Sequence, residues 1–301
     1  MKSIKLLFLK DKFIAMKKYF LVIASLLLVL IARSQIEIGD TTDFKEFFST
    51  TTYFVKDANL FSDFNYYIKD AAKQAWTITP YKIITYEEYK KMPLTKGKSF
   101  VMTTTVFPEK NPQLKYDFLT VLMGGEGSKL GSKGGSMPIL AAIPLSFHGD
   151  DENYYDYKLV PFLYFLQKHI KIASQNPEYT QRDYLRLYNK NARKLKNKTL
   201  VLSQDQIPDN FDVTKYYHGR VKIMPQEEIA KLIKAGDTTI VFAHIVAAPT
   251  DDEIIPQSYC YKMLFDAKGT LYYFAWHKMN NSQLNVLLKQ DFIKLDKKIR
   301  K

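Results

Sequence analysis

Apolar residues recur along this chain with two spacings. Leu284, Leu287, Leu288, Phe292, Leu295 and Ile299 follow an i, i+3, i+4 stripe, which predicts a helix over 284–299. Tyr157, Val160, Phe162, Leu163, Phe165, Leu166 and Ile170 predict a second over 154–173, and residues 60–76 predict a third. Runs of β-branched and aromatic residues at 100–107, 116–123, 137–147, 238–247, 258–266 and 270–278 read as strands, with Asp266-Ala267-Lys268-Gly269 as a hairpin turn. Shorter runs at 52–55, 81–85, 199–202 and 221–224 also suit strands. A short helix is expected at about 210–217, and residues 35–48 read as a loose lead-in.

Order within these elements suggests two copies of one unit. Tyr81-Lys82-Ile83-Ile84-Thr85-Tyr86-Glu87-Glu88-Tyr89-Lys90-Lys91 lies 140 positions before Val221-Lys222-Ile223-Met224-Pro225-Gln226-Glu227-Glu228-Ile229-Ala230-Lys231. Each segment reaches a glycine, Gly97 or Gly236, then a strand, then Pro108 or Pro249. Upstream, Thr52-Tyr53-Phe54-Val55 corresponds to Thr199-Leu200-Val201-Leu202. Thr85 and Pro225 mark helix starts, so Glu87-Glu88 and Glu227-Glu228 fall in first turns, where carboxylates oppose the positive helix end. That placement makes the Glu pairs structural.

The expected fold is α/β or α+β, two tandem β-α-β-α-β-β-β-α units with mixed sheets. The first unit spans 50–175, a polar connecting helix and linker spans 176–198, and the second unit spans 199–301. The order resembles that of secreted Bacteroidota proteins of unknown function with a tandem α/β repeat, and it implies no activity. A looser likeness, of topology alone, is to the mixed α/β domains of periplasmic assembly proteins such as the amino-terminal part of TolB.

The N-terminus carries an address. Lys17 and Lys18 precede Tyr19–Ala32, apolar except for Ser25, and Ala32 and Ser34 put small residues before Gln35. This reads as a secretory signal peptide over 1–34, with Met16 an alternative start. A membrane anchor is the competing reading, but 14 residues fall short of the ~20 that span a bilayer. The Lys-Lys-Tyr-Phe…Ser-Gln form is similar to signal peptides of Bacteroidota. The expected product is soluble and exported, periplasmic or extracellular, with no transmembrane span after cleavage.

Export changes the charge picture. The 301 residues carry 44 basic and 31 acidic side chains, net +13. Residues 1–34 remove seven basic and one acidic, leaving 37 and 30, net +7. Nucleic acid is therefore not an expected partner; the partner is an unidentified protein or small ligand. The single cysteine excludes an intramolecular disulfide framework and any multi-cysteine metal centre.

Candidate chemistry is sparse. Residues 124–136 hold six of the twelve glycines, but match neither GxxxxGK[ST] nor GxGxxG and lead towards a strand, so a hairpin loop is expected. Such loops carry function, and Gly125, Gly127, Lys129 and Lys133 are the candidate ligand-binding residues, for an anion or nucleotide. His148-Gly149-Asp150-Asp151-Glu152 suits a helix start, and no metal-ligand spacing or cofactor motif is present, so no metal, cofactor or catalytic residue is assigned. Cys260 reads as a core residue. His244 and His277 lie in strands that could face each other. Three functions remain open: non-enzymatic binding through paired domains, a hydrolase in which His148, Asp150, Asp151 or Glu152 meets His244 or Asp251, and an anion binder using the Gly-rich loop.

Overall fold

The computed structural model describes residues 38–59, 62–107, 111–125, 137–149, 155–249, 258–280 and 284–301. The signal-like segment 1–34, Gly127, Lys129, Lys133, Asp150, Asp151, Glu152 and Asp251 lie outside the described residues.

The fold is α/β, with two five-stranded mixed sheets of the same topology. The first sheet is built from β1 (Thr51–Val55), β2 (Tyr81–Ile84), β3 (Lys98–Val106), β4 (Tyr116–Met123) and β5 (Ile139–Phe147), in the order β2-β1-β3-β4-β5. The second contains β6 (Thr199–Leu202), β7 (Arg220–Ile223), β8 (Ile240–Val246), β9 (Tyr259–Phe265) and β10 (Leu271–Lys278), in the order β7-β6-β8-β9-β10. In each, the first strand pairs parallel with the second and third, and the last three form an antiparallel meander.

Helices occupy matching places. The lead-in forms α1 (Thr41–Glu46), and α2 (Asp63–Ala75) runs between β1 and β2. Helix α3 (Tyr86–Lys91) follows β2, and α6 (Gln226–Lys234) follows β7. Each unit closes on a helix, α4 (Leu159–Gln175) or α7 (Lys289–Ile299). The connecting helix is α5 (Gln181–Lys190), continued by a 3-10 turn at Asn191–Asn197. Glu88, expected in a first helical turn, serves a capping box: its carboxylate accepts from the Thr85 N–H at 2.7 Å, which holds its pKa below the usual carboxylate range.

Four readings change in detail. The strand correspondence shifts by one residue. Phe54 faces α2, its ring 5.1 Å from that of Trp76, while Val55 packs with Tyr89 of α3. In the second unit Leu200 and Leu202 pack with Ile207, Val213 and Tyr217 of the equivalent connection, and Val201 joins Ile229 and Ile233 of α6. Phe54 therefore matches Leu202, not Val201; strand side chains alternate faces, so a one-residue slip inverts the whole strand. The helix expected at 210–217 is replaced by 3-10 turns at Gln204–Gln206 and Val213–Lys215. Asn210 takes a left-handed φ of 55°, and Asp212 accepts from Thr214 N–H at 3.0 Å, so local polar geometry wins over helix. The C-terminal helix starts at Lys289 rather than 284: residues 285–286 bend, and Leu287 N–H bonds Gln206 O at 2.9 Å instead of a helical carbonyl. The lead-in is ordered: α1 is capped by Asp40 and Asp43, and Phe47 behind it is fully buried against Trp76.

The two units share one continuous core that joins α2 and α4 to the α6-facing side of the second sheet. Tyr116 of β4 crosses the seam; its hydroxyl donates to Tyr259 O at 3.0 Å and accepts from Tyr259 N–H at 2.9 Å. The β9–β10 turn lies directly on α4. Gly269 has φ +69°, and a Cβ there would lie 2.3 Å from Pro161 O. Helix α5 closes the open edge of β10, where the Asn189 amide takes both the N–H and the C=O of Phe274, at 2.7 and 3.1 Å.

Candidate functional site

Two cavities lie along the seam between the units. The larger, of about 670 Å³, is an apolar cleft, within the roughly 300–1,000 Å³ usual for small-molecule sites. One wall is the meander of the first sheet, with Thr104, Phe118, Thr120 and Ala142. The opposite wall is α4 and α5, with Phe165, His169, Tyr184 and Tyr188, and Met263 and Phe274 of the second sheet close it. Ile38, half exposed, stands at its edge beside β5. The cleft exists because the equivalent faces of the two sheets are covered differently. In the second sheet this face is filled by α4 and α6, whereas in the first it carries the short α3 at one end only.

The polar groups of the cleft include Asp40, which caps α1, Gln181 of α5, and two hydrogen-bonded side-chain pairs. Thr104 and Thr120 share a 2.6 Å hydroxyl contact. His169 Nδ1 lies 2.7 Å from the Tyr188 hydroxyl, with the Tyr184 ring 4.8 Å away. Loss of water around the imidazole pushes its pKa down to about 4, and the same cause raises that of Tyr188. Both groups are therefore neutral at pH 7. They give the cleft a hydrogen-bonding point without charge, suited to orienting a largely apolar molecule.

The smaller cavity, of about 220 Å³, is polar and is lined from both units by Ser146, Lys158, Asp205, Gln206, Gln226 and His244. Lys158 ends the 3-10 turn Asp156–Lys158 that leads into α4, and is 4% exposed. Burial lowers its ammonium pKa to about 8, against the opposing pull of Asp205 and Asp156. No carboxylate among the described residues forms an ion pair with it. His244 is buried, bonds Pro144 O through Nε2 at 2.9 Å, and leaves Nδ1 with no partner among the described residues. Its pKa is driven well below the ordinary histidine value by burial, then by the charge of Lys158.

The expected site residues fare unevenly. Gly125 follows β4 and lines neither cavity; its neighbour Gly124 is required, since a Cβ there would fall 2.2 Å from Thr95 O. His148 sits at the end of β5, bonded to Asp117 at 2.9 Å. It is four residues along the strand from the Pro144 that His244 meets, a separation of about 13 Å at ~3.3 Å per residue. His244 and His277 do not face each other: through β9 they register with Met263 and Cys260, residues of opposite strand parity. Cys260 is buried and its thiol is pushed up to about 12, consistent with a core side chain. Among the described residues no group of three or more His, Cys, Asp or Glu is placed to hold a metal, and no helix is long and apolar enough to cross a membrane.

Neither Lys158 nor His169 stood out in the sequence, yet a signal was present. Lys158, Phe162, Phe165 and His169 follow i, i+4, i+7, i+11 on one helical face. Two titratable residues on an otherwise apolar stripe are the mark of a helix that borders cavities rather than solid core.

No family model, curated protein or solved structure matches this chain.

Proposed function

We propose that this chain is an exported, non-enzymatic binding protein that holds a mainly apolar small molecule between two copies of one α/β unit. The cleft of about 670 Å³ carries the reading, because it is open, apolar, and furnished with one neutral His169–Tyr188 pair. A cavity of that size left to water alone would expose its aromatic and aliphatic lining at a cost of about 25 cal/mol per Å². An apolar occupant removes that cost, and His169 and Tyr188 fix its polar end. The 1–34 segment supports export, with its basic start, apolar run and small-residue end.

Ala142 offers a direct test. It is an exposed residue lining the cleft, so Ala142→Trp fills space without entering the core. Purified protein is analysed by native mass spectrometry, before and after organic extraction, and titrated with a polarity-sensitive naphthalenesulfonate dye. Wild type is expected to bind the dye, or to release an extractable apolar molecule, and Ala142→Trp to lose at least tenfold in affinity. Equal binding by both proteins, or none by wild type freed of ligand, refutes the reading.

A further inference from the structure

The small polar cavity has a chemistry of its own. It joins the first unit to the second, and is separate from the apolar cleft in size, lining and polarity. Lys158 Nζ is a cation removed from water, with the Tyr157 ring 5.1 Å away. Asp205 and Asp156 attract it, but neither pairs with it among the described residues, and a buried ammonium is stabilised by direct contact with an anionic oxygen. His244 presents the opposite demand. Its Nε2–H is committed to Pro144 O, so Nδ1 is a lone-pair acceptor, buried and unpartnered among the described residues. Such a nitrogen calls for a hydrogen-bond donor. One ligand meeting both needs carries an anionic oxygen and a hydrogen-bond donor.

The remaining lining narrows the choice. Asp205, exposed in the turn after β6, contributes a carboxylate to the same cavity. It favours a donor that is itself cationic and disfavours a phosphate dianion. Gln226 is the first residue of α6, whose N-terminus has no side-chain cap; that end of a helix favours a carboxylate. Glu227 and Glu228 in the same turn are solvent-exposed. At about 220 Å³ the cavity lies below the roughly 300–1,000 Å³ usual for drug-sized ligands, so its occupant is small.

We propose that the cavity between Lys158 and His244 binds a free α-amino acid, its carboxylate on Lys158 Nζ and its ammonium between His244 Nδ1 and Asp205. The pairing explains why Lys158 has no ion-pair partner among the described residues while another buried lysine, Lys262, is held against Asp291. Aliphatic parts of the ligand lie against Leu145, Phe147 and Val246.

The test uses the full mature chain at pH 7. Thermal shift and calorimetric titration are run with L-alanine, L-serine, L-leucine and L-glutamine, and with L-lactate and inorganic phosphate as controls. At least one amino acid is expected to bind in the micromolar to low millimolar range, with lactate weaker and phosphate inactive. Asp205→Asn, a surface change, should weaken the amino acid at least fivefold while lactate, relieved of the repulsion of that carboxylate, binds no more weakly than to wild type. Lys158→Met should abolish binding. Because that variant alters a buried site, wild type is also treated with formaldehyde and borohydride, and methylation of Lys158 is followed by peptide mass spectrometry. A saturating amino acid should slow modification of Lys158 severalfold relative to exposed lysines in the same digest, which share any loss of formaldehyde to the free amine. No binding by any of the four amino acids, phosphate binding in preference to them, undiminished binding in Lys158→Met, or no protection of Lys158 each overturns the proposal.

Discussion

Replacing Lys158 by methionine should make the ligand-free protein more stable at neutral pH. Methionine retains most of the length of the lysine stem and removes the charge. The ammonium pKa is about 8 in the fold against 10.5 in an exposed chain, and burial is the main cause. A tenfold change in proton affinity is worth about 1.4 kcal/mol, so below pH 8 the charged lysine costs the folded state about 3 kcal/mol. The sign follows from proton binding. Between pH 8 and 10.5 the unfolded chain holds the proton and the folded chain has lost it, so wild-type stability rises with pH across that window. Lys158→Met lacks that dependence. Urea unfolding of both proteins at pH 7 and pH 10.5 is the assay, and the difference between them cancels the other titrating groups. The variant should be more stable by about 1–3 kcal/mol at pH 7, and the gap should close at pH 10.5. A variant destabilised at pH 7, or a gap that does not change with pH, refutes the account of Lys158 as a buried cation whose desolvation outweighs the pull of Asp205 and Asp156.

Other consequences follow from the same physics. His169, at about 4, and His244, also lowered, are neutral in the fold and take up protons more readily when unfolded, so stability should fall as pH drops from about 6.5 towards 4; His169→Phe should flatten that slope in acid unfolding curves. Asp291→Asn strips Lys262 of its buried partner and weakens the bond from Tyr273 OH at 2.7 Å. It should cost about 3–5 kcal/mol in chemical unfolding, whereas a loss under about 1 kcal/mol would show that the pair is dispensable. Gly269→Ala forces a Cβ onto the Pro161 carbonyl at positive φ; a loss of about 2 kcal/mol or more is expected from strain and displaced packing, and an unchanged midpoint would mean that the β9–β10 turn is not seated on α4. Tyr116→Phe removes both hydrogen bonds to Tyr259 across the seam, and should lower stability by about 1–3 kcal/mol in the same urea assay.

The chain's periodicities determined its elements and their order. Runs of β-branched and aromatic residues bounded by turn residues placed β4 at Tyr116–Met123 and the β9–β10 hairpin, because strand propensity and turn chemistry are local. The 140-residue offset between Tyr81–Lys91 and Val221–Lys231 likewise carried the common order of the two units. Strand facing was not legible, since Thr52–Val55 and Thr199–Leu202 read equally well in either of two registers, and only the helices packed above and below them decide. The cavities were not legible either. His169 meets Tyr188 of α5, and Lys158 meets His244 of β8, because α4 docks against a sheet built from the other half of the chain. Burial, and with it the loss of water that moves the Lys158 and His244 pKa values, is a property of that docking. A lysine and a histidine become a site only when tertiary packing withdraws their solvent and leaves one charge and one lone pair to be satisfied.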